Sequence, residues 1–178
     1  MSKKKSMILD LGCCRGKMPN SVGMDIYPYD GVDIVHDLNI TPWPIEDNTV
    51  DLVSAKHIIE HVESIPAFMK EIHRVSKPGG KVIIETPHFT SLDSWADPTH
   101  RWHLSTNFTD QFIKGSYLAE QVGEFKILVN KVSFGSFIMT WPARLICTVF
   151  GRRFWERYFS FIFRARNLYT ELEIIKDN

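Results

Sequence analysis

Apolar positions along the chain fall into short runs, interrupted by one long stretch in which they recur at helical spacing. The short runs are bounded by turn residues and predict β-strands. Between residues 58 and 76, apolar side chains recur every three or four positions, which predicts a helix ending at the breaker residues 77–80. A second helix is predicted over 106–121. The predicted strands cover residues 7–11, 22–25, 32–35, 50–55, 81–85, 125–134 and 168–176.

This order of elements predicts the fold class. Strands that alternate with helices are typical of an α/β fold with a mostly parallel sheet, here a Rossmann-like sheet of about seven strands. Only residues 17–21, which include Pro19, separate Gly16 from the second strand. No full crossover helix fits in that space, so we expect the first crossover helix to be shortened or absent.

The composition is that of a globular protein, with 44% hydrophobic and 24% charged residues in a chain of 178. We expect one domain over 1–178, with a loop insertion at 88–105 and an aromatic, basic segment at 135–167. The formal net charge of +0 argues against a protein that depends on nucleic-acid phosphates. The three cysteines lack disulfide or metal spacing, and we find neither a signal peptide nor a membrane span, which predicts a cytoplasmic protein.

Two neighbouring strands end in an acid. The first run, residues 8–11, contains Asp10 and enters the turn Gly12-Cys13-Cys14-Arg15-Gly16, and the second run ends at Asp25. Ligands bind beyond the carboxyl ends of strands in open α/β sheets, and an acid at the end of the second strand can accept hydrogen bonds from ribose hydroxyls. The sequence therefore predicts a nucleoside site at this edge.

This pattern resembles motif I and the second acidic position of class I S-adenosylmethionine (SAM)-dependent methyltransferases, whose usual form is acid-x-Gly-x-Gly-x-Gly. Cys14 stands where the middle glycine of that motif normally lies. Residues 51–57 resemble the family's fourth strand and the loop after it, and 61–80 resemble the helix and turn that lead into strand five. The resemblance implies SAM as cofactor, methyl transfer as the reaction and an antiparallel last strand.

The resemblance also implies the cofactor contacts. Asp25 would bind the ribose, Asp37 with Leu38 would hold the adenine edge, and Asp10 would orient the methionyl amino group. The cofactor-binding residues implied in this way are Asp10, Gly12, Cys13, Cys14, Gly16, Asp25, Ile26, Asp37, Leu38, Lys56 and His57. The substitution at Cys14 and the short first crossover leave a second interpretation open, a SAM-binding sensor or scaffold without turnover.

The loop at 88–105 carries the candidate catalytic groups. His88 follows strand five, and Asp97, His100 and Arg101 lie further along the loop. Histidine is the commonest general base, so we expect His88 or His100 to take a proton from the acceptor and Asp97 or Arg101 to orient it. Two alternatives stay open: the loop serves only to anchor the core, or His88, Asp97, His100 and His103 bind a metal.

Residues His57, Glu60 and His61 also have the His-x-x-Glu-His spacing of the inverted zinc-peptidase motif. A zinc hydrolase would need both histidines on one face of a helix. His57 follows a predicted strand and motif I lies upstream, so we favour the methyltransferase interpretation and expect no metal cofactor.

The segment 141–166 contains six arginines against one glutamate, a local charge of +5, interleaved with aromatic residues. Such a segment can cover a core or a substrate cleft, or it can lie on an anionic membrane. We therefore expect a small-molecule, glycan or lipid-type acceptor, with peripheral membrane contact through 141–166 as one alternative. The sequence predicts no nucleic-acid partner and does not indicate the oligomeric state.

Overall fold

The computed structural model describes residues 6–135 and 140–176. Its centre is a seven-stranded sheet in the order β3-β2-β1-β4-β5-β7-β6. Strands β1 to β5 are parallel, and β7 runs antiparallel to β5 and β6. The predicted α/β class, strand number and antiparallel last strand are confirmed. The strands are β1 (Ile8–Leu11), β2 (Val22–Asp25), β3 (Ile34–Val35), β4 (Val50–Lys56), β5 (Ser76–Pro87), β6 (Glu124–Val132) and β7 (Asn167–Ile175).

The described ranges also contain five α-helices and a five-residue 3-10 helix. The 3-10 helix, Phe108–Phe112, lies between the second and third α-helices. None of the helices in the described ranges is long and apolar enough to cross a bilayer. The α-helices are α1 (Ile65–Val75), α2 (Leu92–Ala96), α3 (Tyr117–Val122), α4 (Trp141–Phe150) and α5 (Arg152–Tyr158).

The main core lies between the central strands and α1. Leu9 and Val53 from adjacent strands are fully buried, as are Met69 and Ile72 of α1. Strands that are covered on both faces read as nearly continuous apolar runs, which is why β1 and β4 were predictable from the sequence. This core fixes the carboxyl ends of β1, β2 and β4 along one edge of the sheet.

The predicted helix over 58–76 is wrong in its first half. Helix α1 begins only at Ile65, where the Ser64 hydroxyl accepts a hydrogen bond from the Ala67 amide at 3.3 Å and Pro66 occupies the first turn. Serine caps and early prolines favour a helix start. The apolar residues upstream, such as Ile59 and Val62, are buried within turns instead.

Other predicted boundaries also change. The helix over 106–121 is wrong because Gly115, with a φ of +82°, breaks it into the 3-10 helix and the Ser116-capped α3. Strand β5 starts at Ser76 rather than residue 81, since Ser76 already pairs with Val50 before a bulge. The segment predicted as 135–167 contains α4 and α5, and residues 136–139 of it lie outside the described residues.

The connection from β1 to β2 contains only turns, as expected. Within it the Asp10 carboxylate accepts a hydrogen bond from the Met18 amide at 2.8 Å, and the Gly16 amide donates to the Cys13 carbonyl at 3.0 Å. The Asp10 side chain thus substitutes for helical hydrogen bonds. The expected shortening of the first crossover is confirmed, and it leaves the ends of β1 and β2 uncovered by a helix.

Glu71 on α1 fixes the loop before β4. Its carboxylate accepts hydrogen bonds from the Trp43 amide at 2.7 Å and from two nitrogens of Arg74 at 2.9 and 2.7 Å. Burial acts to raise the pKa of Glu71, but these hydrogen bonds outweigh it and hold the pKa below its usual value. The pKa of a glutamate in the unfolded chain is about 4.3. Because the pKa of Glu71 is lower in the folded protein, its ionised carboxylate stabilises the fold above that pH, and this stabilisation is lost as the pH falls through the folded-state pKa.

We expect Glu71→Ala to lower the free energy of unfolding at pH 7 by about 1–3 kcal/mol, because a charged hydrogen-bond acceptor is lost. Urea titrations at pH 7 and at pH 3.5 measure this. The difference between wild type and variant should shrink at the lower pH. Glu63→Ala, at an exposed position 3.4 Å from Arg101, is the control and should have little effect. An undiminished difference at pH 3.5 would contradict the assigned role.

Candidate cofactor and acceptor sites

The turn after β1 is shaped by Gly12. Its φ is +63°, and a Cβ atom there would lie 2.7 Å from the Ile58 side chain. Its amide donates to the Met24 carbonyl at 2.8 Å, which folds the turn onto β2. Glycine is therefore required at this position both for its backbone conformation and for space.

Cys14 takes the left-handed backbone conformation that glycine favours. Its φ is +46°. Cys14, which stands in place of the middle glycine of the usual motif, therefore has a backbone conformation that glycine adopts readily. The Cys14 amide donates to Asp25 Oδ2 at 2.9 Å, and Asp25 Oδ1 accepts from the Tyr27 amide at 3.0 Å. Asp25 thus holds the turns after β1 and β2 together.

A cavity of about 780 Å³, here called the central cavity, opens above these turns. Six of the residues that were predicted to bind the cofactor line it: Gly12, Cys14, Asp25, Ile26, Asp37 and Leu38. Other residues that line the cavity were not predicted from the sequence. Arg101, which was predicted as a catalytic residue, also lines the central cavity. The further lining residues are Tyr27, Tyr29, Asn39, Ile58, His61, Val62, Pro98, Thr99 and Arg101.

Tyr27 and Tyr29 had a signal in the sequence that went unused. They follow Asp25 directly, and the residues after a strand-ending acid must lie at the same edge of the sheet. The two rings lie 5.8 Å apart, and the Arg15 guanidinium lies 5.3 Å from the Tyr29 ring centre. The ring planes are tilted by 52° to each other and provide aromatic surface beside Asp25.

A smaller space of about 350 Å³, the strand-end cavity, lies on the other side of Gly12. Four more of the predicted residues line it: Asp10, Cys13, Gly16 and Lys56. The Ser54 hydroxyl also faces it; this oxygen is buried and has no hydrogen-bond partner within the described chain. Asp10 and Lys56 therefore offer opposite charges to one small space.

A third space of about 680 Å³, the histidine cavity, adjoins the central cavity because His61 and Pro98 line both. His57, Glu60, Asp97 and His100 also line it. The predicted residues His57, Asp97 and His100 thus line the histidine cavity together, and none of them lines the central cavity. Glu60 is an acid that the sequence analysis placed on a helix and used only in the zinc-peptidase alternative.

The hydrogen bonds of His100 orient its ring. Its Nδ1 donates to the Ser94 carbonyl at 3.0 Å, and its Nε2 lies 3.9 Å from Asp97 and 4.0 Å from Glu60. Because a carbonyl can only accept, the Nε2 atom carries the free lone pair of the neutral ring. Bonds from Thr99 hold the pKa of Asp97 below its usual value.

His57 follows β4 with a φ of +52° and a half-exposed side chain. Its Nδ1 atom lies 3.5 Å from Glu60 Oε1, and this carboxylate raises the pKa of His57 against the opposing effect of burial. Residues 57–63 form turns, so His57 and His61 do not share a helix face. The helical premise of the inverted zinc-peptidase interpretation is therefore wrong.

His88 is fully buried outside all three cavities. Its Nδ1 lies 3.2 Å from the Thr90 amide and so accepts, which leaves Nε2–H to donate to Glu156 at 3.0 Å. Neither nitrogen is free to take a proton from an acceptor. The expectation that His88 acts as the base is not supported, because Glu156 of α5 covers it.

The proposed metal set of His88, Asp97, His100 and His103 is not assembled either. His103 stacks on Trp95 with ring centres 3.6 Å apart and bonds Ser94 at 2.9 Å. The buried His88 points to Glu156. The loop thus serves two purposes, since His88 and His103 anchor it while Asp97 and His100 face a cavity.

Comparison with known proteins identifies the family. A family model described as a methyltransferase domain matches residues 1–125. The chain belongs to this methyltransferase family. Because the match covers β1 to α3, it includes the three cavities and the Gly12 turn. The cofactor of this family and fold is S-adenosylmethionine, as the sequence resemblance implied.

Two curated relatives and one solved structure are similar to the chain. A probable SAM-dependent methyltransferase of Mycolicibacterium smegmatis is 34% identical over 42% of this chain and 29% of its own length. The chloroplastic tocopherol O-methyltransferase of Arabidopsis thaliana is 35% identical over 42% of this chain and 21% of its own length. The matched regions thus span less than a third of either relative.

The solved structure is geranyl diphosphate C-methyltransferase of Streptomyces coelicolor, in complex with Mg2+, geranyl diphosphate and S-adenosyl-L-homocysteine. It superposes with a TM-score of 0.63 at 13% identity, over 96% of this chain and 71% of its own. At that identity the likeness shows the fold alone.

The three cysteines allow a direct test of the central cavity. Cys14 is exposed and lines it. Burial and the nearby Asp10 and Asp25 raise the pKa of Cys13 to about 11, and burial raises the pKa of Cys147 to about 11. Because the thiolate is the reactive form, both of these thiols should react slowly at neutral pH.

We expect limiting iodoacetamide at pH 7.5 to modify Cys14 first, as read by peptide mass spectrometry. The adduct should abolish binding of S-adenosylhomocysteine, and prior addition of that ligand should slow the reaction. Cys14→Gly is the matched control, since it removes the thiol and suits the positive φ; it should retain binding after the same treatment. First modification at Cys13 or Cys147 would contradict the geometry.

Proposed function

We propose that the protein transfers a methyl group from SAM to an acceptor placed near the histidine cavity. The observation that carries the proposal is the arrangement of the central cavity around Gly12, Asp25 and Asp37. Gly12 leaves no room for a side chain at its own turn, and the cavity it borders is large enough for a nucleoside. When bound, the cofactor supplies an electrophilic methyl group, and the chain must hold and orient both partners.

In this proposal the adenosine part occupies the central cavity. Asp25 Oδ1 and Oδ2 each accept one backbone hydrogen bond, and each has capacity for one more, from a ribose hydroxyl. Asp37 lies across the cavity with the buried Leu38 beside it. Tyr27 and Tyr29 supply apolar surface for the flat base.

The amino-acid part of the cofactor carries an ammonium and a carboxylate. We assign it to the strand-end cavity, where Asp10 and Lys56 provide complementary charges and Cys13 and Gly16 complete the wall. The unpartnered Ser54 hydroxyl beside Asp10 supports a polar occupant, because a buried polar group without a partner costs free energy. Ile26 and His57, the remaining predicted contacts, line the central and histidine cavities respectively.

On the acceptor side we propose His100 rather than His88. Its Nε2 lone pair faces a cavity that adjoins the central cavity, and the Ser94 carbonyl fixes the ring. Asp97 lies within 3.9 Å of the same atom, while Arg101 lines the central cavity. Asp97 therefore orients His100, and Arg101 borders the cofactor.

One observation favours the alternative of a SAM-binding protein without turnover. A non-glycine residue with a φ of +46° at Cys14 is strained, and it places a side chain in the lining of the central cavity where the family pattern has none. A sensor would bind the cofactor and release no product. The same assay that tests the proposal therefore separates the two functions.

We expect calorimetry to show binding of SAM and S-adenosylhomocysteine to the wild-type protein. Asp25→Ala should weaken binding about ten- to a hundredfold, since it removes charged acceptors for the ribose hydroxyls. Asp30→Ala, at an exposed position on the same connection that lines none of the three cavities, is the control. Unchanged affinity in the Asp25 variant would contradict the assigned site.

Turnover is measured as S-adenosylhomocysteine release over a panel of small-molecule, glycan and lipid acceptors. His100→Gln should reduce release by a hundredfold or more while binding of S-adenosylhomocysteine persists. His36→Gln, which changes a partly exposed histidine that lines none of the three cavities, is the control. Tight cofactor binding without release from any acceptor would favour the sensor function.

We further propose a lipid-type acceptor reached from a membrane surface. Trp141, Leu145 and Val149 recur every four residues on one face of α4 and are all more than half exposed. Phe161 and Ile162, later in the same segment, are also exposed, as are Arg144, Arg153 and Arg157. An exposed apolar surface among arginines is suited to anionic headgroups. By their names, two of the similar proteins act on tocopherol and geranyl diphosphate, which are prenyl compounds. The protein would then work in the cytoplasm at the membrane face.

We expect the protein to float with vesicles that contain anionic phospholipid at low salt and to be released by about 0.5 M salt, since screening weakens the arginine contacts. Leu145→Glu with Val149→Glu should abolish flotation. Tyr117→Glu, which places an acid at an exposed aromatic position on α3, should not. Flotation that persists in the double variant would contradict this surface.

A further inference from the structure

The histidine cavity contains a cluster that the methyl-transfer proposal leaves unexplained. Glu60, His61 and His100 each offer a ligand atom, and these three atoms lie within 4.8 Å of one another. Among the residues that the structure describes, no other three histidine, cysteine or acidic side chains lie close enough together to share one ion. Two residues come from the turn after β4 and one from the loop after β5.

Backbone hydrogen bonds bring the two segments together. The Glu60 carbonyl accepts from the Arg101 amide at 2.8 Å and from the Trp102 amide at 3.3 Å. The Trp102 indole donates to the Val62 carbonyl at 2.8 Å. The cluster is therefore held by main-chain contacts that do not use the ligand atoms.

Each histidine has one nitrogen fixed and the other free. His100 Nδ1 donates to the Ser94 carbonyl. Thr99 Oγ1 gives its proton to Asp97 at 2.6 Å, so it must accept from His61 Nδ1 at 2.9 Å. Both Nε2 atoms consequently carry lone pairs. Metal-binding histidines commonly have their other ring nitrogen held by a carbonyl or carboxylate in this way.

The third residue of the cluster, Glu60, has a buried carboxylate without hydrogen bonds. Its side chain is 1% exposed, and neither carboxylate oxygen has a hydrogen-bond partner in the described chain. The nearest basic groups, His57 Nδ1 at 3.5 Å and His100 Nε2 at 4.0 Å, are beyond normal hydrogen-bonding distance. A buried carboxylate needs a compensating charge. A cation between Glu60 and the two imidazoles would supply it.

We propose that Glu60, His61 and His100 bind a first-row divalent transition-metal ion. Two imidazoles and one carboxylate suit zinc, iron or cobalt better than magnesium, which prefers oxygen ligands. Three protein ligands leave at least one coordination position open, as in catalytic rather than structural sites. His57, at the rim of the same cavity, is the candidate for a fourth ligand.

The site also suggests the acceptor's chemistry. Because His61 lines both the histidine and central cavities, the open position of the ion would serve a hydroxyl or carbonyl oxygen of the acceptor. A metal-bound Nε2 atom of His100 has no lone pair left for a proton, so in the metal-bound protein the ion would replace His100 as the group that activates the acceptor. This assignment of the acceptor rests on the proposed methyl transfer, whereas the metal site itself does not. The acceptor class would then be an oxygen-bearing compound that coordinates through that oxygen.

The test uses the full chain, stripped with chelator and without SAM. We expect calorimetry with zinc chloride to show one equivalent bound, and cobalt(II) to give visible absorption bands typical of nitrogen and oxygen ligation. Glu60→Gln and His61→Ala should each weaken binding at least a hundredfold. His36→Gln, which changes a histidine outside the cluster, is the matched control and should bind as wild type.

Circular dichroism and thermal melts establish that the variants are folded. Without metal, Glu60→Gln should melt no lower than wild type, because the Glu60 carboxylate makes no hydrogen bond that would be lost. Added zinc should raise the melting temperature of wild type but not of Glu60→Gln. Folded wild type that binds neither zinc nor cobalt, binds magnesium alone, or binds zinc equally well in both variants would overturn the site. S-adenosylhomocysteine binding, measured separately, reports on the methyl-transfer proposal.

Discussion

The functional edge of this protein depends on the absence of a side chain at Gly12. The space that a Cβ would need is filled by Ile58, 2.7 Å away, so the turn after β1 packs directly on the turn after β4. Here the edge is covered only by turns, and their close packing keeps the carboxyl ends of β1, β2 and β4 in register. Ile58 therefore couples the central cavity to the turn that carries Glu60 and His61.

That turn combines a satisfied backbone with an unsatisfied side chain. The Glu60 carbonyl accepts hydrogen bonds from two amides of the loop after β5, while its buried carboxylate has no hydrogen-bond partner in the described chain and lies 3.5 Å from His57 Nδ1. Polar groups that are buried at random destabilise a fold, so an orphaned carboxylate held in place by its own backbone indicates a site kept for a ligand. The cost of desolvating Glu60 is offset by the buried apolar residues on either side of it, Ile59 and Val62.

The sequence predicted most of the sheet but not the acceptor side. Strand runs and the acids Asp10 and Asp25 are local signals, and the parallel order brings them to one edge. The spacing of Ile59, Val62 and Ile65 fits helix and buried turn equally well, so the helix was extended back over Glu60 and His61. His88 was misjudged for another reason. Its position at a strand end is local, whereas Glu156, the residue that binds it, lies 68 positions away.

The His88–Glu156 contact joins α5 to the loop after β5. Burial acts to raise the pKa of Glu156, but hydrogen bonds from His88 and Thr106 outweigh it, so the pKa of Glu156 is held below its usual value and its carboxylate accepts both bonds. This contact fixes the inner face of α5 to the loop after β5. Because α4 and α5 are adjacent in the chain, anchoring α5 through Glu156 and the buried Trp155 leaves α4 with only Ala143 buried. The helix whose Glu156 binds His88 is thus preceded in the chain by a helix whose apolar residues are mostly exposed.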